Sequence, residues 1–180
     1  MSETWSEYFF MIGSSAAALI GLMFVVVTLT AGRERNELER GIKLYSTPIV
    51  RHLGVVLVLS GAAIAPVTTP RMLGVACLIV GAAGVAYGIR IAVGIVRSEL
   101  AANFRGYDAT WYGIAPAVAY LAIGGSGLAM LSGRSWAAAG IAAGLMALLL
   151  VSIHNEWDLV TYLAPDAQPT GAADARDKGP

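Results

Sequence analysis

The sequence contains five long stretches that lack Asp, Glu, Lys and Arg, and they run over residues 8–32, 52–70, 72–89, 109–133 and 135–155. A helix needs about 20 apolar residues to cross the hydrocarbon core of a bilayer, and each stretch meets or approaches that length. Lipid offers the backbone no hydrogen-bond partner, so such stretches must form helices or a closed barrel. None of them alternates in polarity as barrel strands do, and we therefore predict helices.

The composition excludes a soluble protein. Hydrophobic residues make up 57% of the chain and charged residues only 13%, whereas globular domains carry about 25% charged residues. A soluble domain could not hide so much apolar surface, because folding leaves about a third of the unfolded chain's area exposed. The formal net charge of zero also argues against nucleic acid as a partner. We predict an integral membrane protein whose surroundings are the lipid bilayer.

The predicted fold is an all-α polytopic bundle with five transmembrane helices, one lone helix followed by two antiparallel hairpins. The spans are expected at about residues 8–31, 48–66, 71–96, 110–132 and 135–158, within a single domain over residues 1–163. Short connections at residues 66–70 and 132–135 form the two hairpins. Residues 33–45 are expected to form a helical extension that lies along the inner membrane surface. Residues 164–180 are rich in Pro, Gly, Ala and Asp and are predicted to form a disordered cytoplasmic tail.

The distribution of Lys and Arg predicts the orientation in the membrane. Most cations lie in the first and third connections and in the tail, namely Arg33, Arg35, Arg40, Lys43, Arg97, Arg105, Arg176 and Lys178. The opposite side carries only Arg71 and Arg134. Because cytoplasmic loops are enriched in Lys and Arg, the N-terminus is predicted outside and the C-terminus inside. Trp111 and Tyr112 are then expected in the inner aromatic belt at the membrane interface.

Small residues recur at helical spacing in three of the spans. Their positions are Gly13, Ala17 and Gly21 in the first, Gly74, Gly81, Gly84 and Gly88 in the third, and Gly140 and Gly144 in the fifth. Such spacing lets helix backbones approach closely. The helices could pack in this way within one protomer or between copies in a homo-oligomer, and glycine hinges for gating are a further alternative. We expect a homo-oligomer.

Ionisable groups inside a membrane are costly, so each one needs a partner or a purpose. The few in this chain gather near the predicted inner ends of the second, third and fifth spans. We predict that they form one inner-leaflet polar cluster, made of Arg51, His52, Arg90, His154, Asn155, Glu156 and Asp158. The cluster could serve conduction or gating. It could also be a structural clamp in which Arg51 extends to the membrane surface and Arg90 pairs with Asp158 or with a carbonyl oxygen. In that interpretation, His154 and Asp158 form an ordinary i,i+4 pair.

Enzyme and cofactor chemistry find little support in the sequence. The chain has no metalloprotease HExxH motif, no GxSxG nucleophile elbow and no cysteine–histidine arrangement, and Cys77 is its single cysteine. His52 and His154 could in principle be axial haem ligands or take part in a divalent metal site. With two histidines in all, we predict no catalytic residue, no bound cofactor and no metal.

Several segments resemble a group of small polytopic proteins of the bacterial inner membrane. They are the start of the first span (WSEYFFMIG, residues 5–13), the following AAALIGLMFV (residues 16–25), Thr47-Pro48 with Arg51-His52, the Leu59–Pro66 stretch, and NEWDL (residues 155–159). The resemblance implies localisation in the bacterial inner membrane. Some members of the group are named as modulators of a membrane protease. The resemblance also draws attention to a set of residues in or near the predicted cluster, namely Thr47, Pro48, His52, Asn155, Trp157 and Asp158.

These observations predict a pore or small-solute pathway, built as a homo-oligomer and lined by the inner-leaflet polar cluster. The alternative is a non-conducting accessory or scaffold protein that binds or modulates another membrane protein through its small-residue faces.

Overall fold

The computed structural model describes residues 3–30, 35–97 and 105–163, with side chains described for residues 5–28, 47–97 and 107–161. Its elements are α1 (Glu3–Thr30), α2 (Arg35–Ile64), α3 (Pro70–Arg97), α4 (Arg105–Ala109), a π-helical turn (Thr110–Ile114), α5 (Ala115–Leu131) and α6 (Ala137–Leu163). These residues contain no strand, so the predicted all-α class is confirmed over the described part of the chain. The predicted tail over residues 164–180 lies outside the described residues.

Five stretches are long and apolar enough to cross a membrane, as predicted. They are Trp5–Thr28, Thr47–Ile64, Pro70–Arg97, Tyr107–Leu131 and Ala137–Thr161. Each lies within a few residues of a predicted span. Most of the helical extension expected over residues 33–45 is helical and is continuous with the second span, because α2 runs without a break from Arg35 through Pro48.

Two short turns lie at the same end of the bundle, and local chemistry explains both. Before α3, the Thr69 hydroxyl accepts a hydrogen bond from the Met72 backbone N–H at 3.2 Å, and Pro70 stands at the first helical position, where its missing N–H costs nothing. After α5, Gly133 adopts a φ of +70°. There the N–H of Arg134 bonds to the carbonyl of Ala129 at 3.0 Å, which is the Schellman arrangement that ends many helices.

The two ends of the bundle are named here by the helices that finish there. The C-terminal end is where α1, α3 and α6 end and where the spans of α2 and α5 begin, near Thr47, Tyr107 and Thr161. The N-terminal end holds both short turns, and Ser6 of α1 lies beside the first of them. The predicted polar cluster belongs to the C-terminal end.

The helices pair differently from the two predicted hairpins. α5 and α6 pack together as expected, but α3 packs chiefly against α5 and makes few contacts with α2, which instead packs against α1 and α6. The second and third spans are joined by the short turn that the hairpin prediction needs, but their main packing partners are other helices. The reason is that the glycine face of α3 meets the small residues of α5, where the two backbones approach closely.

The core lies between α1, α2, α5 and α6 and is mostly apolar. Its largest fully buried side chains include Tyr120, Phe9, Ile12, Met23, Ile49, Leu53, Ile123, Ile141, Leu145 and Leu148. The outer surface is also apolar, with large exposed side chains such as Phe24, Val58 and Leu121. A bundle that is apolar outside as well as inside fits a lipid environment.

Candidate functional site

The predicted polar cluster is divided into two groups in the structure. Arg51 and His52 on α2 meet tyrosines of α3 and α5, whereas His154, Asn155 and Asp158 on α6 meet the segment that precedes α5. The centre of the first group is His52 with its partner Tyr120. These two residues are called the histidine pair. The second group is named the π-turn group and consists of Tyr107, Trp111, Tyr112, His154, Asn155 and Asp158.

The histidine pair is buried where α2, α3 and α5 meet. The His52 Nδ1 atom lies 2.9 Å from the Tyr120 hydroxyl oxygen, and His52 is fully buried. Gly84 of α3 makes room for this tyrosine, because a Cβ atom at position 84 would fall on the Tyr120 ring. The pair therefore depends on a glycine of a third helix.

Arg51 and Tyr87 complete the surroundings of His52. The Tyr87 ring stands edge-on to the imidazole, with centroids 6.3 Å apart. The Arg51 guanidinium carbon lies 4.1 Å from the centroid of the same tyrosine ring, which is a favourable cation–π distance. Arg51 itself is on the exposed surface of α2. Tyr87 thus separates an exposed cation from a buried imidazole.

The π-turn group is built around a widened helical turn. Proline at position 116 has no N–H and its ring would clash with the carbonyl of Tyr112, four residues earlier. The turn before it is a π-helix, in which the N–H of Ala115 bonds to the carbonyl of Thr110, five residues back. π-helical turns are rare and are often found at functional sites.

Asn155 of α6 supplies a hydrogen-bond donor to a backbone carbonyl of the widened turn. Its Nδ2 atom donates to the Trp111 carbonyl at 3.1 Å, while the Tyr112 hydroxyl donates to the Asn155 carbonyl at 3.3 Å. The two bonds join α6 to the π-turn in both directions. Tyr112, expected in an interfacial aromatic belt, is instead buried, because the turn directs it toward α6.

His154 is the partly exposed member of this group. Its Nε2 atom lies 3.0 Å from the Tyr107 hydroxyl oxygen and 3.9 Å from Asp158 Oδ2. Its ring is in edge contact with Trp111, with centroids 3.8 Å apart. The i,i+4 pair of His154 and Asp158 that the clamp interpretation predicts is therefore present, and it has two aromatic neighbours that the sequence did not suggest.

Glu156 is the unusual residue of α6. It is 5% exposed, and neither of its carboxyl oxygens has a hydrogen-bond partner among the described residues. Three other buried polar atoms share this condition, namely His52 Nε2, Ser60 Oγ and Asn155 Oδ1. A carboxyl group is the costliest of the four to bury without a partner, because its ionised form carries a full charge.

Arg90 is not part of either group. It lies on the exposed surface of α3, about 10 Å of helix rise from the end of that helix at Arg97. No ion pair joins it to Asp158 within the described ranges, so this pairing of the clamp interpretation is wrong. The cause is again the packing of α3, whose buried face carries the glycines and turns Arg90 away from α6.

The small residues of α3 and α6 face neighbouring helices. A Cβ atom at Gly81 would lie 2.5 Å from the Gly124 Cα atom. The same crowding holds at Gly74 and Gly88 against α5 and its preceding turn, at Gly84 against Tyr120, and at Gly140 and Gly144 against α5. In α1 only Gly13 meets a neighbour, with Ser60 Cβ at 3.1 Å from an added Cβ. Ala17 and Gly21 lie on the exposed surface.

Sequence reasoning missed the tyrosines. Tyr87 and Tyr120 are hydroxyl-bearing side chains in the middle of apolar spans, and that position could have marked them as partners for buried polar groups. Tyr107 gave no comparable signal, because a tyrosine at the end of a span is ordinary. Its contact with His154 depends on the π-turn.

The two groups present imidazole, phenol, amide and carboxyl side chains, which can donate or accept hydrogen bonds. No group of three or more His, Cys, Asp and Glu side chains able to hold a metal ion is found among the residues described. The chain matches no family model, no curated protein and no solved structure. The argument for function therefore depends on the two polar groups and on Glu156.

Proposed function

We propose that this protein is a multi-pass membrane protein that provides a pathway for an ion or small solute, with its selective part near the C-terminal end of the bundle. One observation carries the proposal, namely the buried Glu156 carboxyl group without a hydrogen-bond partner in the described structure. It lies about 7 Å of helix rise from Thr161, where its span ends.

Burying Glu156 in a membrane costs free energy. A carboxylate, histidine or other ionisable group within a bilayer costs free energy that packing alone does not return, and such residues typically mark ion pathways and proton relays. A leucine at position 156 would fill the same interior without that cost. A buried glutamate is thus better explained by a task than by stability.

We further propose that the pathway is completed by other copies of the chain. The support is the small-residue face of α1, where Ala17 and Gly21 are exposed and Gly21 has open space around it. Close helix contacts in membranes use such faces. The Lys and Arg distribution supports an orientation with the C-terminal end in the cytoplasm, and the resemblance in sequence supports the bacterial inner membrane. We propose no catalytic role.

The test is ion flux in liposomes that contain the full-length protein. The probes are H⁺, Na⁺, K⁺ and Cl⁻ gradients, each followed with its own indicator. We expect the wild-type protein to dissipate at least one gradient and Glu156→Gln to lose most of that flux. Glu7→Gln is the matched control, because Glu7 is exposed near the opposite end of the bundle. Absence of flux for all four ions, or equal flux in both variants, would contradict the pathway.

A second candidate function has its own support. The exposed small residues of α1 would equally suit an accessory protein that binds another membrane protein. In that case the protein in liposomes would show no flux, and leucine at position 21 would prevent co-purification of the partner from native membranes. Flux by the isolated protein favours the pathway over this alternative.

A further inference from the structure

We infer that Glu156 is a proton-binding site, whose carboxyl group is a neutral acid in the resting protein and exchanges its proton during transport. This inference rests on the proposed function and specifies the ion. It concerns one buried side chain of α6.

Burial is the first step of the argument. Glu156 is 5% exposed, and both carboxyl oxygens lack a hydrogen-bond partner within the described ranges. An ionised carboxylate in such a place would lose its hydration without any replacement, and the usual response of a buried acid is to take up a proton. The neutral acid needs no counter-ion.

Among the residues whose side chains the structure describes, no cation lies within hydrogen-bonding reach of the Glu156 carboxyl group. α6 packs against α1, α2, α5 and the π-turn. The described titratable or charged groups on these elements, and on α6 and α4, are Glu7 and Tyr8 on α1, Arg51 and His52 on α2, Tyr107 and Asp108 on α4, Tyr112 in the π-turn, Tyr120 on α5, and His154 and Asp158 on α6. Arg51 lies over Tyr87, and the His154 ring contacts Tyr107 and Asp158. His52 bonds through Nδ1 to Tyr120, and its Nε2 atom has no hydrogen-bond partner among the described residues. The remaining acids and tyrosines cannot neutralise a carboxylate.

The coordination chemistry favours a proton over a metal ion. A proton needs a single oxygen atom, whereas Ca²⁺ takes six to eight oxygen ligands and Mg²⁺ demands octahedral coordination. In the described part of the chain, no group of three or more His, Cys, Asp and Glu side chains that could hold a metal ion includes Glu156. A lone buried carboxyl group suits the smallest cation.

The experiment is covalent labelling with dicyclohexylcarbodiimide, an apolar reagent that attacks protonated carboxyl groups in membranes. The acid adds across one C=N bond of the reagent: its oxygen bonds to the central carbon and its proton moves to nitrogen. The adduct then rearranges to a stable acylurea of the same mass, and no oxidant or reductant is needed. The full-length protein in lipid nanodiscs is labelled over a range of pH values, and the site is read by mass spectrometry.

We expect a label on Glu156 whose rate falls as the pH rises, and no such label in Glu156→Gln. Glu7→Gln should be labelled as the wild type is. Sodium ions at constant pH should not slow the reaction. The inference is overturned if position 156 is not labelled, if labelling is independent of pH, or if sodium protects the site, since protection would make Glu156 a sodium site.

A second measurement keeps the inference testable if the labelled form is hard to isolate. Glutamine has nearly the shape of the neutral acid, so Glu156→Gln should retain the wild-type melting temperature. A marked loss of stability would mean that an ionised Glu156 is paired with a cation, which would overturn the inference. Labelling without any ion flux would leave the proton site standing and reject the proposed pathway, so the two failures can be distinguished.

Discussion

The α3–α5 interface and the junction of α2, α5 and α6 are buried by opposite means. Along α3, glycines bring the backbones together, so that an added methyl group at Gly81 would collide with Gly124. Around α6, polar side chains enter the interior, and several of their atoms have no partner in the described structure.

We interpret the α3–α5 interface as packing, and the junction of α2, α5 and α6 as the candidate functional region. Glycine contacts cost little in lipid and gain dispersion energy, so they need no further explanation. Buried polar atoms without partners cost free energy, and proteins retain such violations mainly at functional sites. Mutations in the α3–α5 interface should therefore lower the free energy of unfolding, and mutations at the junction of α2, α5 and α6 should lower activity. Hydrogen-bonded residues of the junction, such as Asn155, should affect both.

The largest expected effect is on the glycine interface. Gly81→Ala places a methyl group against the α5 backbone, which cannot give way as a flexible side chain could, and should cost about 1–3 kcal/mol of unfolding free energy. Gly94→Ala on the same helix has open space and is the matched control. Thermal unfolding in mild detergent measures both. If Gly81→Ala and Gly94→Ala had the same melting temperature, close glycine packing would not explain the stability of the α3–α5 interface.

Asn155→Ala is expected to have the next largest effect. The variant removes the donor to the Trp111 carbonyl and leaves the π-turn unsatisfied, at a cost of about 1–2 kcal/mol. Ser152→Ala is its control, because the Ser152 hydroxyl donates within α6, to the Leu148 carbonyl. If the two alanine variants have the same melting temperature, the π-turn does not depend on Asn155.

Tyr120→Phe should have a smaller effect, of about 0.5–1.5 kcal/mol, because hydrogen bonds between membrane helices are individually weak. The variant retains the ring that fills the space beside Gly84 and removes only the hydroxyl next to His52. Tyr87→Phe retains the ring contacts of Tyr87 and is the comparison. A larger loss for the Tyr87 variant would argue against the importance of the histidine pair.

Gly21→Leu should have the smallest effect on folding, within about 0.5 kcal/mol, because position 21 is exposed and has no neighbour. Its effect should be on assembly, lowering the fraction of oligomer seen by size-exclusion chromatography with light scattering. Gly61→Leu, also at an exposed position with open space, should leave the oligomer intact. A wild-type protein that is monomeric in lipid nanodiscs would contradict assembly through α1.

The number and class of the helices could be predicted because lipid makes charge-free stretches easy to recognise. The period of the α3 glycines likewise predicts one close-packed face. Which helix meets that face depends on the shapes of two surfaces, so the choice of α5 over α2 could not be read from one helix alone. The separation of Arg90 from Asp158 follows from that choice.

The candidate site was predictable in its residues but not in its connections. His52, His154, Asn155 and Glu156 were identified as costly polar groups near the ends of spans. The tyrosine partners of His52 and His154 could not be predicted, because spacing within one helix says nothing about contacts between helices. The π-turn depends on Pro116, whose position inside a span is a signal for local distortion that sequence analysis could have used.

The most direct test of the account is the protonation state of Glu156 in the folded protein. Infrared spectroscopy of the protein in lipid at neutral pH, with ¹³C-labelled glutamate, detects the C=O stretch of a protonated carboxylic acid. The account predicts a protonated glutamate band in the wild type that is missing in Glu156→Gln and present in Glu7→Gln. A wild-type spectrum with carboxylate bands only, identical in this region to that of Glu156→Gln, would contradict it.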